Sequence, residues 1–131
     1  MPARILVVED NGTNLDLMTY LLTAFGHDVT GVSDSKVALE RVRRESFDAI
    51  VSDILMPGID GFELARICKA DPQLRDTPLI AVTALAMAGD RERILASGFS
   101  GYISKPIDPE SFVTQVDAFL PEELRGKHPH R

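Results

Sequence analysis

The sequence has a single cysteine, no tryptophan and no long uninterrupted hydrophobic run. Because Cys68 stands alone, no disulfide can form within the chain, which is typical of proteins from a reducing compartment. Asp, Arg or Gly interrupts every apolar stretch well short of the roughly 20 residues that a membrane-spanning helix needs. The first residues also lack the apolar segment of a secretory signal peptide. We therefore expect a cytoplasmic protein that has no membrane partner.

Basic residues are in short supply: 14 Lys and Arg stand against 20 Asp and Glu, which gives a formal net charge of −6. Direct nucleic-acid binding needs a basic surface that attracts phosphates, so this class of partner is not expected. The hydrophobic content of 44% and the length of 131 residues are those of a folded domain with a sizeable core. One domain is expected over residues 1–121, followed by a polar tail at residues 122–131.

Short apolar runs with β-branched residues recur along the chain, and patterns of helical periodicity separate them. Such runs are typical of strands that are buried on both faces of a parallel sheet. Strands that alternate with helices in this way predict right-handed β-α units. Five units predict a flavodoxin-like, doubly wound α/β fold with strand order 2-1-3-4-5 and helices on both faces. The strand candidates are Ile5-Leu6-Val7-Val8, Asp28-Val29-Thr30-Gly31-Val32, Ala49-Ile50-Val51-Ser52, Leu79-Ile80-Ala81-Val82 and Gly101-Tyr102-Ile103-Ser104.

Capping residues, glycine and proline mark where the helices begin and end. Leu15, Met18, Leu22 and Phe25 form one apolar stripe of the first helix, and Gly26 supplies its stop. The second predicted helix begins at a cap among Ser33, Asp34 and Ser35. The third covers Gly61–Ala70 and the fourth covers residues 87–97. The fifth begins at Asp108-Pro109 and ends at Pro121.

Charged and hydroxyl side chains follow the predicted strands at the points where the strands end. Glu9 and Asp10 follow the first strand, and Asp53 follows the third. Thr83 and Lys105 follow the fourth and the fifth. Because the ligand crevice of such sheets lies at the carboxyl ends of the strands, we expect these side chains to meet at one edge.

Three carboxylates at one edge repel each other, and desolvation increases the repulsion, so positive charge must compensate. Lys105 supplies one charge and a hard divalent cation supplies the rest. A few oxygen ligands with room for water and phosphate favour Mg²⁺ over Zn²⁺. A carboxylate beside Mg²⁺ is suited to phosphoryl transfer, in which Asp53 attacks phosphorus while Lys105 and Thr83 hold phosphate oxygens. The predicted cofactor is therefore Mg²⁺.

The motifs at these strand ends resemble those of a known family. Val8-Glu9-Asp10-Asn11, Asp53-Ile54-Leu55-Met56-Pro57-Gly58-Ile59-Asp60-Gly61, Thr83-Ala84 and Lys105-Pro106 occur in the order and spacing of the receiver domain of two-component response regulators. The resemblance covers about residues 4–120, nearly the whole chain. Receivers of the chemotaxis type and those attached to hybrid histidine kinases are both similar, so a single-domain regulator and a part of a longer protein stay open.

The resemblance implies a role for each residue of the predicted site. Asp53 would be the phosphoacceptor, and Lys105 would bind the phosphoryl group. Asp10 would be a direct metal ligand, and Glu9 would act through water. Asp53 and the backbone carbonyl of Leu55 would complete the protein's ligand set for Mg²⁺.

The resemblance also implies a conformational switch. Thr83 would supply the switch hydroxyl and Tyr102 the rotating aromatic ring, although Tyr102 could also be a plain half-buried side chain. The Lys105-Pro106 peptide bond would be cis. The phosphoryl donor would be a histidine kinase or a histidine phosphotransfer protein. Phosphorylation would then change the surface of the fourth helix, fifth strand and fifth helix, where an output protein or attached domain binds.

The chain is therefore expected to be a regulatory phosphoacceptor in phosphorelay signal transduction, which promotes its own phosphorylation and dephosphorylation, and not an enzyme. One alternative is a phosphatase of similar fold that forms an aspartyl-phosphate. Such an enzyme usually has a second acid two residues after its nucleophile, where this chain has Leu55. A flavin carrier would need a phosphate-binding loop in place of Glu9 and Asp10. An interaction module without phosphorylation would not need the complete residue set.

Overall fold

The computed structural model describes residues 2–85 and 87–125. Five strands alternate with five α-helices in this part of the chain, and a 3₁₀ helix follows. The strands are β1 Arg4–Val8, β2 Asp28–Val32, β3 Ala49–Ser52, β4 Leu79–Thr83 and β5 Gly101–Ser104. The α-helices are α1 Gly12–Ala24, α2 Ser35–Arg44, α3 Gly61–Ala70, α4 Asp90–Ala96 and α5 Phe112–Asp117, and the 3₁₀ helix is Glu122–Leu124.

All five strands are parallel and lie in the order β2-β1-β3-β4-β5, which confirms the predicted doubly wound fold. Val8 and Ser52, the last residues of β1 and β3, are register partners. The backbone N–H of Asp53 donates to the carbonyl of Val8 at 2.9 Å, and the N–H of Glu9 donates to that of Val32 at 3.0 Å. The chain segments that follow β1 and β3 therefore leave the sheet at the same level.

The central strands send alternate side chains into two separate cores, because successive residues of a strand point to opposite faces. Leu6 and Leu79 belong to the first core, with residues of α2, α3 and α4. Ile5 and Ile80 belong to the second core, with residues of α1 and α5. Cys68 lies in the first core, where burial raises the pKa of its thiol, so it is a packing residue. With both faces covered, the carboxyl edge of the sheet is held firmly in place.

Side-chain caps fix the starts of the three helices that follow β1, β2 and β3. Asn11 caps α1, and its Oδ1 accepts the N–H three residues further on at 2.9 Å. Asp34 caps α2, so it is the capping residue among the three candidates Ser33, Asp34 and Ser35. Asp60 caps α3, and its carboxylate accepts the backbone N–H of Glu63 at 2.9 Å. Each cap satisfies a backbone donor that the helix itself leaves free.

The fourth and fifth helices are shorter than predicted. Instead of beginning at residue 87, α4 begins at Asp90, because Gly89 has a φ of 93° and the Asp90 carboxylate accepts the N–H of Met87 at 2.7 Å. Similarly, α5 begins at Phe112, and the Asp108 carboxylate caps the turn before it by accepting two hydrogen bonds. None of the helices in the described ranges is long and apolar enough to cross a membrane.

The predicted polar tail begins with a packed turn. Glu122–Leu124 is a 3₁₀ helix, and Leu124 packs against the second core. The Arg125 guanidinium donates to the carbonyl of Leu120 at 3.2 Å. The first part of the tail is therefore attached to the domain, and the part beyond residue 125 lies outside the described residues.

One buried polar contact anchors the fifth helix at the edge of the sheet opposite the predicted site. His27 Nε2 lies 2.8 Å from Asp117 Oδ1 at the end of α5, and both side chains are almost fully buried. His27 Nδ1 accepts the N–H of Ala3 at 3.3 Å, which places the imidazole proton on Nε2. The contact ties α5 to the chain just before β1 and β2, and no motif in the sequence indicates it.

Candidate functional site

Three carboxylates converge at the carboxyl edge of the sheet. Glu9 and Asp10 follow β1 and Asp53 follows β3, and an oxygen of each lies within 4.8 Å of the others. Glu9 is fully buried and Asp53 is 5% exposed, whereas Asp10 faces solvent. The register of β1 and β3 produces this convergence, because both strands end at the same level.

Lys105 brings an ammonium group to these carboxylates from β5. Its Nζ lies 3.0 Å from Glu9 Oε1 and 3.0 Å from Asp53 Oδ2. The backbone N–H of Lys105 donates to the carbonyl of Thr83 at 2.9 Å, which fixes the start of the side chain beside β4. The Lys105-Pro106 bond is cis, as the family resemblance implied.

The two oxygens of Asp53 have different partners. Oδ1 accepts the backbone N–H of Ile54 at 2.7 Å and that of Leu55 at 3.3 Å. Oδ2 accepts from Lys105 Nζ at 3.0 Å. The backbone turn after β3 therefore holds one side of the carboxylate, and Lys105 holds the other side.

The charges of the site are out of balance. The cluster contains three carboxylates and one ammonium group, which leaves two negative charges uncompensated if all three acids are ionised. Burial raises the pKa of Glu9, and its contacts with Lys105 and with the N–H of Asn11 offset only part of this effect. Burial alone would lower the pKa of Lys105, but its close contacts with the Glu9 and Asp53 carboxylates raise the pKa above its ordinary value.

One buried oxygen of the site has no hydrogen bond. The Lys105 ammonium lies near Glu9 Oε1 but outside good hydrogen-bond geometry, so this oxygen is left without a donor. A buried acceptor without a partner is costly and calls for an explanation such as an ion or ordered water. The oxygen-only donor set and the uncompensated charge fit a hard divalent cation such as Mg²⁺. Glu9, Asp10 and Asp53 are the side chains that could hold it.

The predicted switch residues lie on the two neighbouring strands. Thr83 is fully buried at the end of β4, and its hydroxyl oxygen accepts the N–H of Leu85 at 3.1 Å. Tyr102 of β5 is half-buried and packs against the first core. The structure therefore brings Glu9, Asp10, Asp53 and Lys105 into one cluster and gives Thr83 and Tyr102 other partners.

The start of α3 packs directly against the backbone that carries Asp53. A Cβ atom on Gly61 would lie 2.6 Å from the carbonyl oxygen of Asp53 and 2.6 Å from Ile54 Cα. The Gly61 N–H donates to the carbonyl of Ile54 at 2.8 Å. This contact and the two N–H donors to Asp53 Oδ1 support the carboxylate, and the motif Pro57-Gly58-Ile59-Asp60-Gly61 does not by itself reveal them.

This fold, with acids after β1 and β3 and a lysine after β5, is shared with a known family. Residues 5–117 match the family model of the response regulator receiver domain. The chain belongs to this family. The family match extends from β1 to the end of α5, so it covers every element that contributes a residue to the site.

Curated relatives and solved structures agree with this assignment. The polar-differentiation response regulator DivK of Brucella anthropi is 39% identical over 92% of this chain and 98% of its own length, and DivK of Brucella ovis is 38% identical over the same shares. The chemotaxis response regulator CheY4 of Vibrio cholerae superposes with a TM-score of 0.87 at 27% identity, covering 92% of this chain and 100% of that chain.

One further solved structure bears on the acidic cluster. The receiver domain of the sensor histidine kinase PA1611 from Pseudomonas aeruginosa superposes with a TM-score of 0.82 at 34% identity, covering 91% of this chain and 98% of that chain. That protein holds a magnesium ion coordinated in its active site cleft. A receiver of the same fold can thus bind Mg²⁺ in its cleft, which agrees with the donor set found here.

We predict that Gly61→Ala destabilises this receiver domain by about 2 kcal/mol, because the added methyl group must displace the backbone of Asp53 and Ile54. Urea unfolding would measure the change. Gly12→Ala is a matched control, since Gly12 is also the first residue of a helix and its Cβ would meet nothing within 4 Å. Equal free energies of unfolding for the two variants would contradict the packing argument.

Proposed function

We propose that this receiver domain accepts a phosphoryl group on Asp53 from a phosphohistidine of a histidine kinase or histidine phosphotransfer protein. The observation that supports this role best is the pair of fixed contacts on Asp53. Two backbone N–H groups hold Oδ1, and the Lys105 ammonium holds Oδ2. The carboxylate is thus oriented before the donor arrives, which lowers the entropic cost of reaction.

The transfer replaces one bond to phosphorus by another. An Asp53 carboxylate oxygen forms a bond to phosphorus while the bond between phosphorus and the donor's imidazole nitrogen breaks. The electron pair of the broken bond stays on the imidazole nitrogen, and the product is an acyl phosphate. Negative charge is concentrated on the phosphoryl oxygens throughout, so stabilisation must come from positive groups nearby.

Lys105 and Thr83 are the groups of this chain that would hold the phosphoryl oxygens. Lys105 is already within 3.0 Å of the acceptor carboxylate. Glu9, Asp10, Asp53 and the backbone carbonyl of Leu55 would hold Mg²⁺, with Glu9 acting through water. When bound, Mg²⁺ supplies the positive charge that neutralises the phosphoryl oxygens and the surrounding carboxylates.

Phosphorylation would then be read out through Thr83 and Tyr102. The Thr83 hydroxyl oxygen accepts a hydrogen bond from Leu85, and donation to a phosphoryl oxygen would draw this hydroxyl toward Asp53. The space left behind would admit the half-buried ring of Tyr102. Both residues lie at the strands that border α4, so the movement would change the surface formed by α4, β5 and α5.

That surface carries a cavity suited to an output partner. Its volume is about 510 Å³, and its lining includes Arg91 and Leu95 of α4, Tyr102 of β5, Gln115 of α5, and Phe119, which follows α5. The lining therefore combines apolar contact area with charged and polar groups. An output protein or an attached domain would bind here, in the cytoplasm, when Tyr102 changes position.

The first test is phosphorylation by acetyl phosphate with Mg²⁺, followed by intact mass measurement. One phosphoryl group should be added to the wild-type chain, and none to Asp53→Asn, which lacks the nucleophilic carboxylate. Labelling of Asp53→Asn to the wild-type extent would contradict the assignment.

Hydrogen exchange on the labelled protein should change between Thr83 and Tyr102. An unchanged exchange pattern there would leave Asp53 as acceptor but remove the proposed switch.

A second test concerns the metal. Asp10→Ala removes a direct ligand, so the affinity for Mg²⁺ should fall by about tenfold or more, equivalent to ~1.4 kcal/mol. Glu9→Gln should reduce the affinity less, because its contact would pass through water. Calorimetric titration with Mg²⁺ measures both effects. Wild-type affinity in Asp10→Ala would show that the ion binds elsewhere.

The lifetime of the acyl phosphate is a third point for experiment. The side chains two residues after Asp53 and two after Thr83 flank the approach of an attacking water in the family, and here they are Leu55 and Leu85. Leu55 is 57% exposed, and Leu85 packs at the edge of the first core. Neither can hydrogen-bond a water molecule, so in-line attack is poorly supported.

We therefore predict slow self-dephosphorylation, with the signal ended by a partner or by back-transfer to histidine. The double variant Leu55→Asn with Leu85→Glu should hydrolyse faster, by about tenfold if a positioned water lowers the barrier by ~1.4 kcal/mol. The decay of labelled protein after removal of acetyl phosphate gives both rates. Decay of the wild type within seconds, or no acceleration in the double variant, would show that these leucines do not control water access.

A further inference from the structure

The loop between β3 and α3, residues 54–60, carries the backbone groups that surround the phosphoacceptor. The N–H groups of Ile54 and Leu55 donate to Asp53 Oδ1 at 2.7 Å and 3.3 Å. The carbonyl of Leu55 is the backbone ligand in the proposed Mg²⁺ site. The position of this loop, called the acceptor loop below, therefore determines how these groups are arranged around Asp53.

Both ends of the acceptor loop are fixed by neighbours in the chain. The N–H groups of Met56 and Gly61 donate to the carbonyl of Ile54 at 3.1 Å and 2.8 Å. At the far end, Asp60 caps α3. Met56 and Ile59 also pack in the first core. Apolar contacts of this kind are not directional, so they hold the middle of the loop near the core without fixing the orientation of its peptide groups.

One hydrogen bond joins the middle of the acceptor loop to a different helix. Ser35, the first residue of α2, is 3% exposed, and its hydroxyl donates to the carbonyl of Ile59 at 2.6 Å. Within residues 2–85 and 87–125, no other hydrogen bond links residues 55–59 to another helix or strand. The Ser35 hydroxyl is thus the directional contact that the middle of the loop has.

The acceptor loop and the start of α2 are not closely packed against each other elsewhere. An open cavity of about 320 Å³ lies between them, and its lining includes Ser33 and Lys36 on one side and Met56, Pro57 and Gly58 on the other. Water can enter such an opening, so close packing does not replace the hydrogen bond.

The helix that carries Ser35 is a firm support. The Asp34 carboxylate accepts the N–H of Lys36 at 2.7 Å and caps the first turn. Further along α2, the side chains of Ala38, Leu39 and Val42 are buried in the first core. A donor at the start of a capped and buried helix has little freedom of its own, so it can fix the position of the carbonyl that it contacts.

We propose that Ser35 is a positioning residue for the acceptor loop. Its hydroxyl holds the carbonyl of Ile59, so that the N–H groups of Ile54 and Leu55 stay on Asp53 Oδ1 and the Leu55 carbonyl stays available to Mg²⁺. Ser35 touches neither the ion nor the phosphoryl group and acts through the loop alone. The inference rests on the proposed function, because it concerns the geometry of the same acceptor.

Ser35→Ala tests the inference on the free protein, since it removes the donor and leaves the Asp34 cap in place. Amide exchange of Ile54 and Leu55, followed by NMR, should become about fivefold faster, the change expected for the loss of one neutral hydrogen bond. The affinity for Mg²⁺, measured by calorimetric titration, should fall by a similar factor.

Ser33→Ala is the matched control. Ser33 lines the same cavity and lies two residues before Ser35, but it is exposed and has no hydrogen-bond partner in the described part of the chain. The same change in side chain at this position should leave the amide exchange and the Mg²⁺ affinity at wild-type values. If Ser35→Ala matches Ser33→Ala in both measurements, the inference is overturned.

Two further measurements separate positioning of the loop from a general contribution to folding. Urea unfolding reports the global stability, and a Ser35→Ala variant that loses stability while Ile54, Leu55 and Mg²⁺ behave as in the wild type would overturn the inference. Ser35→Thr keeps a hydroxyl and should restore slow exchange and Mg²⁺ affinity. If it behaves like Ser35→Ala, the role does not belong to the hydroxyl, and the inference again fails.

The labelling reaction connects the loop to the proposed function. With acetyl phosphate, and with Mg²⁺ at a concentration that saturates each variant, Ser35→Ala should label Asp53 about fivefold more slowly than Ser33→Ala. Equal labelling rates would overturn the inference. Failure of the wild type to label at Asp53 would overturn the proposed function instead, and the exchange and Mg²⁺ measurements on unlabelled protein would still decide whether Ser35 holds the loop.

Discussion

The crowding of negative charge at one sheet edge is the constraint on which the rest of this structure depends. Parallel strands β1 and β3 end in register, so the acids that follow them must share one small space. Like charges at such distances, partly removed from water, oppose folding unless positive groups approach. The fold supplies Lys105 from a strand at the far side of β4, together with the backbone N–H groups of Ile54 and Leu55.

The same crowding makes the site responsive. In the proposed function, two uncompensated negative charges would attract a divalent cation, and the combined cluster would then tolerate the negative charge of a phosphoryl group. Lys105 Nζ lies 3.0 Å from each of two carboxylates, so moving away from one of them does not expose it to an apolar environment. A site that was already neutral would attract a divalent cation less strongly. Phosphorylation would then change the contacts around such a site less.

The positions of strands and site residues were predictable because they depend on short-range rules. Continuous apolar runs indicate strands covered on both faces, and five such strands alternating with helices suit the doubly wound order 2-1-3-4-5. The placement of Glu9, Asp10, Asp53 and Lys105 at one edge then needs only the rule that parallel strands share their carboxyl ends. The family resemblance added the cis bond before Pro106, which periodicity cannot indicate.

What the sequence left open depends on particular side-chain contacts and backbone angles, some local and some between distant residues. The late start of α4 arises from the Asp90 side chain and the positive φ of Gly89, two local features that helical periodicity does not register. The link between His27 and Asp117 joins residues 90 positions apart. The close approach of Gly61 to the Asp53 backbone became visible only when the position of α3 was known.

Glu9 and Asp10 show how much two adjacent acids of the same charge can differ. Successive residues leaving a strand point in opposite directions, so one carboxylate is fully buried and the other faces solvent. The buried carboxylate is fixed by the N–H of Asn11 and faces Lys105, and the exposed one is open to ions from solution. In the proposed Mg²⁺ site, the ion would then exchange at Asp10 without disturbing the core. Exchanging the two residue types would place the shorter carboxylate in the buried position, farther from Lys105, and the longer one in solvent.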